Sequence, residues 1–157
     1  MAESSIISDE LRDKIGAEWE LGVYDIEKEM LHKFIRAIDD SSPLWQDEER
    51  ARQRRSGGII APPTFILTIG GEQFGQAIAP MFPAGLLHGS TELESYQPVR
   101  PGDRITAAIK IAGIRERPSS KMAFVTFDLT YRNQRRKLVA RCQQTMIGYE
   151  AKGAKDG

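Results

Sequence analysis

From Leu86 to Tyr149 the apolar side chains fall at every second position, and that period restricts this half of the chain to extended strands. Leu87, Thr91 and Leu93 alternate with His88, Glu92 and Glu94. Pro98 and the Pro101-Gly102-Asp103 run then turn the chain. Ile105, Ala107, Ile109 and Ile111 form one face of a second strand. After a turn around Pro118, Ala123, Val125, Phe127, Leu129 and Tyr131 line a third. Asn133-Gln134-Arg135 supports a tight reversal into a last strand, Leu138 to Tyr149. Four long strands joined by short turns pair antiparallel.

The first half reads differently. Glu18 to Tyr24 suits one short strand. Asp25 is placed to cap a helix whose apolar residues, Ile26, Met30, Leu31, Phe34 and Ile38, make one stripe. Glu27 and Glu29 at its start and Arg36 near its end agree with the helix dipole. Gln46 to Arg55 is polar and helix-prone, a surface segment that Gly57-Gly58 ends. Ile59 to Pro63 is a rigid extended lead into a second helix, Thr64 to about Ala77, rich in apolar residues (Phe65, Ile66, Leu67, Ile69, Phe74). Gly70 and Gly71 each cost about 1 kcal/mol inside a helix. They make sense where a strand passes close by. An apolar helix of this kind must be covered, and a sheet with one polar face can curl around it. The expected class is α+β, a curled antiparallel sheet wrapped around a central helix. Residues 1–150 then form one domain, with a fraying start over Met1 to Ser8 and a disordered tail over 151–157.

Composition narrows the function. Basic and acidic side chains balance at 22 each, so no global charge draws the chain to nucleic acid. A single Cys142 and two histidines, His32 and His88, leave no disulfide and no metal cluster legible in the sequence. No apolar run approaches a membrane span, and the chain opens without a charged-then-apolar leader. A cytoplasmic protein is expected.

Four segments carry a resemblance across about Trp19 to Tyr149: Phe34-Ile35-Arg36-Ala37-Ile38-Asp39-Asp40-Ser41-Ser42-Pro43-Leu44, Gly58-Ile59-Ile60-Ala61-Pro62-Pro63-Thr64-Phe65, Leu87-His88-Gly89-Ser90, and Tyr96-Gln97-Pro98-Val99-Arg100-Pro101-Gly102-Asp103. In this order the chain resembles the MaoC-like hot-dog acyl-thioester dehydratases and hydratases. The closer likeness is to a single-domain branch similar to the N-terminal half of fatty-acid-synthase-type dehydratases. The resemblance implies a hot-dog fold and reversible hydration between 3-hydroxyacyl and trans-2-enoyl thioesters of coenzyme A or acyl carrier protein. It implies no cofactor and no metal. In the catalytic branch the motif runs Asp-x-Asn-Pro-Leu-His, and its Asp and His share the proton transfers. Mapped here, the aspartate is Asp40, the Asn position is Ser42 and the His position is Trp45. The family's His-Gly at the start of the central helix corresponds to Ala61-Pro62, and proline has no N–H to offer a thioester oxygen. Amides of Thr64 or Phe65 are the replacements within reach along the chain.

Each candidate has a plainer reading beside the functional one. Asp40 is a catalytic carboxylate, or with Ser42 it caps the turn that Pro43 starts. Trp45 lines an acyl channel, or packs its helix onto the sheet. His88 replaces the missing base, or is a structural or interface histidine. Two basic runs, Arg50 to Arg55 and Arg132 to Lys137, supply Arg55 and Arg136 as candidates for phosphates of the thioester carrier, or are solvated faces. Glu72 and Gln73 on the central helix mark the thioesterase alternative. The resemblance also implies a homodimer, or a heterodimer with a second hot-dog chain in which this one shapes the substrate channel without catalysing. A stand-alone acyl-thioester binding module remains a further reading.

Overall fold

In this computed structural model, which describes residues 6–54, 57–82 and 84–150, every alternating segment is a strand. They are β1 (Glu18–Asp25), β2 (Leu86–Ser95), β3 (Arg104–Arg117), β4 (Met122–Arg132) and β5 (Leu138–Tyr149). They form one antiparallel sheet in the order β1-β3-β4-β5-β2. Register shifts at Glu20/Gly22, His88/Ser90, Ile111/Gly113 and Tyr131/Arg132 bend the strands and help the sheet to curl. The inward face carries the expected residues: Ile105, Ala107, Ile109 and Ile111 on β3, and Ala123, Val125, Phe127, Leu129 and Tyr131 on β4, are all buried.

The concave side grips the segment that begins at Pro63, as the α+β reading requires. That segment is not one helix. Pro63–Thr68 is a 3-10 turn, Ile69 is extended, and α5 (Gly71–Ile78) begins only after Gly70. Gly70 sits at φ 73°, the left-handed region that glycine enters without penalty. A Cβ there would also stand 3.2 Å from the Tyr24 hydroxyl of β1, so the expected close strand is present. Gly71 has open space instead. Phe65 and Ile66 before the break, and Phe74 and Ile78 after it, are all buried in the same core. Phe74 meets Phe127 edge-on, with ring centroids 5.4 Å apart.

Four further expectations are corrected. Asp25 does not cap the first helix: it ends β1, and its carboxylate takes the Arg104 guanidinium at 2.8 Å. That pairing holds the Asp25 carboxyl below its ordinary range. The helix runs Lys28–Ala37 (α2), with Leu31 and Ile35 buried, while Ile38 is 46 % exposed. Within the polar segment expected from Gln46 to Arg55, the helix is short, α4 (Glu48–Arg52), capped by the Asp47 carboxylate, which accepts the Arg50 N–H; a separate turn of helix, α3 (Pro43–Gln46), precedes it. Finally, residues 6–8 of the expected fraying start are held. Ser8 caps a short helix, α1 (Asp9–Asp13), that seats Ile7 and Leu11 in the core. The tail 151–157 lies outside the described residues. Among those described, no helix is long and apolar enough to cross a membrane.

Two buried acids tie stability to alkali. Burial, aided by the nearby Cys142 and Tyr24, drives the Tyr131 phenol well above its ordinary range. Burial likewise raises the Cys142 thiol. An acid whose folded pKa is raised keeps its proton in the folded state after the unfolded chain has lost it. Its stabilisation is therefore complete below the unfolded pKa and is lost as pH rises above it. With ordinary values of about 8.5 for the thiol and about 10 for the phenol, stability should decline from about pH 8.5 and more steeply beyond 10. Urea midpoints measured from pH 7 to 11 should show this, and Tyr131→Phe should flatten the upper limb.

Candidate active site

The aspartate turn is built by the end of α2. Asp39 adopts φ 54°, and its N–H donates to Arg36 while the Asp40 N–H donates to Ile35 at 3.2 Å. This paired closure of the last helical carbonyls stops α2 and fixes the direction in which the chain leaves. Aspartate tolerates the left-handed conformation better than most residues. Asp40 Oδ1 then accepts the Ser42 N–H at 2.9 Å, and Oδ2 accepts the Trp45 indole N–H at 2.7 Å. The Asp40 carboxylate thus closes the turn, as its plainer reading expects.

The Trp45 contact is the chemical centre of the site. The side chain five residues on from the aspartate does reach its carboxylate, as a histidine in that place would. Indole nitrogen, however, only donates. It cannot accept a proton from water or from a substrate carbon. Trp45 therefore keeps the hydrogen bond and removes the base.

On its other side Trp45 walls an apolar cavity of about 290 Å³. Ile60, Pro62 and Pro63 face it from the helix start, Tyr96 and Val99 from the segment after β2, and Val139 from β5. This is small but within the order of size of a ligand site. Pro62 and Pro63 remove two successive main-chain donors, so the first N–H after Ala61 belongs to Thr64. Tyr96, half exposed, was not singled out from the sequence as a wall. Its phenol donates to the Glu94 carboxylate, which holds it above its ordinary range. Its place in the Tyr96-Gln97-Pro98-Val99 segment was the available signal.

Of the candidate residues, the structure brings Asp40, Ser42 and Trp45 together and sets Trp45 and Pro62 on the cavity. Thr64 is exposed. Phe65 lies beneath the wall, fully buried and edge-on to Phe34 at 5.6 Å. His88 sits exposed on the edge strand β2, its Nε2 2.7 Å from the Thr91 hydroxyl, and does not line the cavity. Arg136 is in the β4–β5 turn, and Arg55 is outside the described residues. Glu72 accepts from Gln76, and Gln73 accepts from the Tyr24 hydroxyl, so neither stands at the cavity. Among the described residues no group of His, Cys, Asp and Glu is placed to hold a metal ion.

A curled antiparallel sheet gripping a buried helical segment, with an aspartate turn beside an apolar cavity, defines a hot-dog protein. More narrowly, the chain belongs to the MaoC-like dehydratase family, in the group described as "FAS1-like, dehydratase domain region", whose model matches residues 13–142. It is 31 % identical over 116 residues to a UPF0336 protein of Thermobifida fusca, covering 71 % of this chain and 76 % of that one. It is 31 % identical over 96 residues to a UPF0336 protein of Streptomyces coelicolor, covering 59 % of this chain. There it spans 64 % of the relative's length, just under two thirds. Among solved structures, a MaoC-like dehydratase from Rhodospirillum rubrum superposes with TM-score 0.72 at 24 % identity, covering 89 % of this chain and 96 % of that one. The HadBC (3R)-hydroxyacyl-ACP dehydratase complex from Mycobacterium tuberculosis gives TM-score 0.75 at 23 % identity, covering 87 % and 98 %. At these identities the two structures attest the fold alone.

Proposed function

We propose that this chain is the acyl-holding subunit of a hydratase or dehydratase of 3-hydroxyacyl and trans-2-enoyl thioesters. A second hot-dog chain supplies the acid/base pair. The carrying observation is the 2.7 Å hydrogen bond from the Trp45 indole to Asp40. Water addition to an enoyl thioester needs a group that takes a proton from water and returns one to carbon. It also needs a donor for the thioester oxygen. Here the base position holds an indole and the helix start holds two prolines. The apolar cavity beside them suits a hydrocarbon tail. A structural neighbour that is itself a complex of two chains supports the paired arrangement.

Hydration of a trans-2-enoyl-CoA tests this reading. The purified chain should show no turnover above buffer, and co-expression with a sister chain bearing an intact Asp-x-Asn-Pro-Leu-His motif should restore it. Robust turnover by this chain alone, abolished by His88→Ala, would instead make it a complete enzyme with a relocated base.

A further inference from the structure

The β4–β5 turn is an ordered, basic loop that leads into a strand lining the cavity, and its charges are unspent. Asn133 organises it: its side-chain oxygen accepts the N–H groups of Arg135 at 2.9 Å and Lys137 at 3.2 Å, and its carbonyl accepts the Arg136 N–H at 2.9 Å. Arg136 sits at φ 61°, a left-handed conformation held by those bonds. The Arg132 guanidinium crosses the loop to the Arg136 carbonyl at 3.2 Å. Gln134 fastens the loop to the neighbouring turn, donating to the Asp103 carboxylate at 3.1 Å and accepting the Arg104 N–H at 3.1 Å. These bonds leave the side chains of Arg135, Arg136 and Lys137 pointing into solvent. Among the described residues no carboxylate pairs with any of the three. The acids of the vicinity are engaged elsewhere: Asp25 by Arg104, Asp128 by Arg141 and Gln143, Glu94 by Tyr96, and Asp103 by Gln134 and the Arg100 N–H.

The position of the loop matters as much as its charge. Lys137 is two residues, about 7 Å of strand, from Val139, which walls the cavity. The Val139 carbonyl accepts the N–H groups of Tyr96 and Gln97, two further wall residues. The loop that carries the three cations therefore runs within two residues into a wall of the apolar chamber. That pairing matches a ligand with a hydrocarbon end and a phosphate at some distance from it.

We propose that Arg135, Arg136 and Lys137 bind the phosphate of a pantetheine-type thioester whose acyl end occupies the cavity. This rests on the thioester reading above and adds to it the group that this chain reads on the carrier. The guanidinium groups of Arg135 and Arg136 can pair bidentately with phosphate, the Lys137 ammonium adds a third positive charge, and the loop that carries them is already ordered. The same chemistry is offered by the nucleotide phosphates of coenzyme A and by the phosphodiester that joins the arm to a carrier protein.

Three ligands separate these cases: a trans-2-decenoyl thioester of coenzyme A, of 4′-phosphopantetheine, and of pantetheine without phosphate. Calorimetric titration compares the native chain with Arg135→Gln/Arg136→Gln/Lys137→Gln, substitutions on an exposed turn that leave its Asn133 bonds in place. The variant should bind the coenzyme A ester about ten-fold or more weakly and the pantetheine ester unchanged. Matching loss for the phosphopantetheine ester assigns the loop to the arm's own phosphate, and loss confined to the coenzyme A ester assigns it to the nucleotide's. Unaltered binding of both phosphorylated esters, or equal weakening of all three, overturns the proposal while leaving the acyl cavity intact. Failure of the native chain to bind any ester overturns the thioester reading itself and the loop's role with it.

Discussion

Trp45→His is expected to give this chain hydratase activity of its own. The substitution places an imidazole where an indole already touches the Asp40 carboxylate at 2.7 Å. The carboxylate would then orient an accepting nitrogen in place of a donor-only one. General acid–base participation contributes about 10²–10⁴-fold, so turnover should rise from background to a measurable rate. The rate should remain well below that of a complete site, because a missing oxyanion donor costs about 10²–10³-fold. Adding Pro62→Gly restores an N–H at that position and should raise the rate further. Asp40→Asn in the Trp45→His background should abolish the gain. A Trp45→His chain as inert as its parent, with the fold intact by circular dichroism, would show that Asp40 does not face the substrate.

Phe127→Ala is expected to be the most damaging single truncation. Phe127 lies on the central strand β4, is fully buried, and carries Phe74 of α5 edge-on against its ring. Removing a buried phenyl ring costs about 3–5 kcal/mol, out of a total near 5–15 for a domain. With a urea slope of about 2 kcal/mol per molar, the midpoint should fall by about 2 M. The helix loses the ring that Phe74 packs against at the same stroke, so the near-ultraviolet signal should weaken before the transition. Ile38→Ala, at a residue 46 % exposed, should move the midpoint far less. Equal midpoints for the two variants would contradict the packing described for the sheet's inner face.

The strands were legible because alternation is a local signal, written residue by residue in Ile105 to Ile111 and Ala123 to Tyr131. The helical half was less so. Phe65, Ile66 and Phe74 read as one apolar run, and only the conformation of Gly70 separates them into two pieces. Glycine is tolerated in a helix and favoured at a break, so its presence does not choose between them. Asp25 looked like a cap because its partner, Arg104, is far along the sequence and leaves no trace nearby. α1, only five residues long, carries too short a period to register. At the site, the Asp40–Trp45 spacing showed which residues to watch. It did not show that the indole would bond the carboxylate. The cavity was hidden for a related reason: its walls come from four separated stretches of chain, and only folding makes Tyr96 and Val139 neighbours of Trp45.

Strand β2 has its own consequence. It closes one margin of the sheet with ten residues, and its outer flank of main-chain amides and carbonyls meets no neighbour among the described strands. Its last residue, Ser95, is also part of the cavity wall. A foreign strand zipped alongside would therefore deliver its own side chains to the doorway of the greasy chamber. Assembly and chemistry would then be set by the same seam.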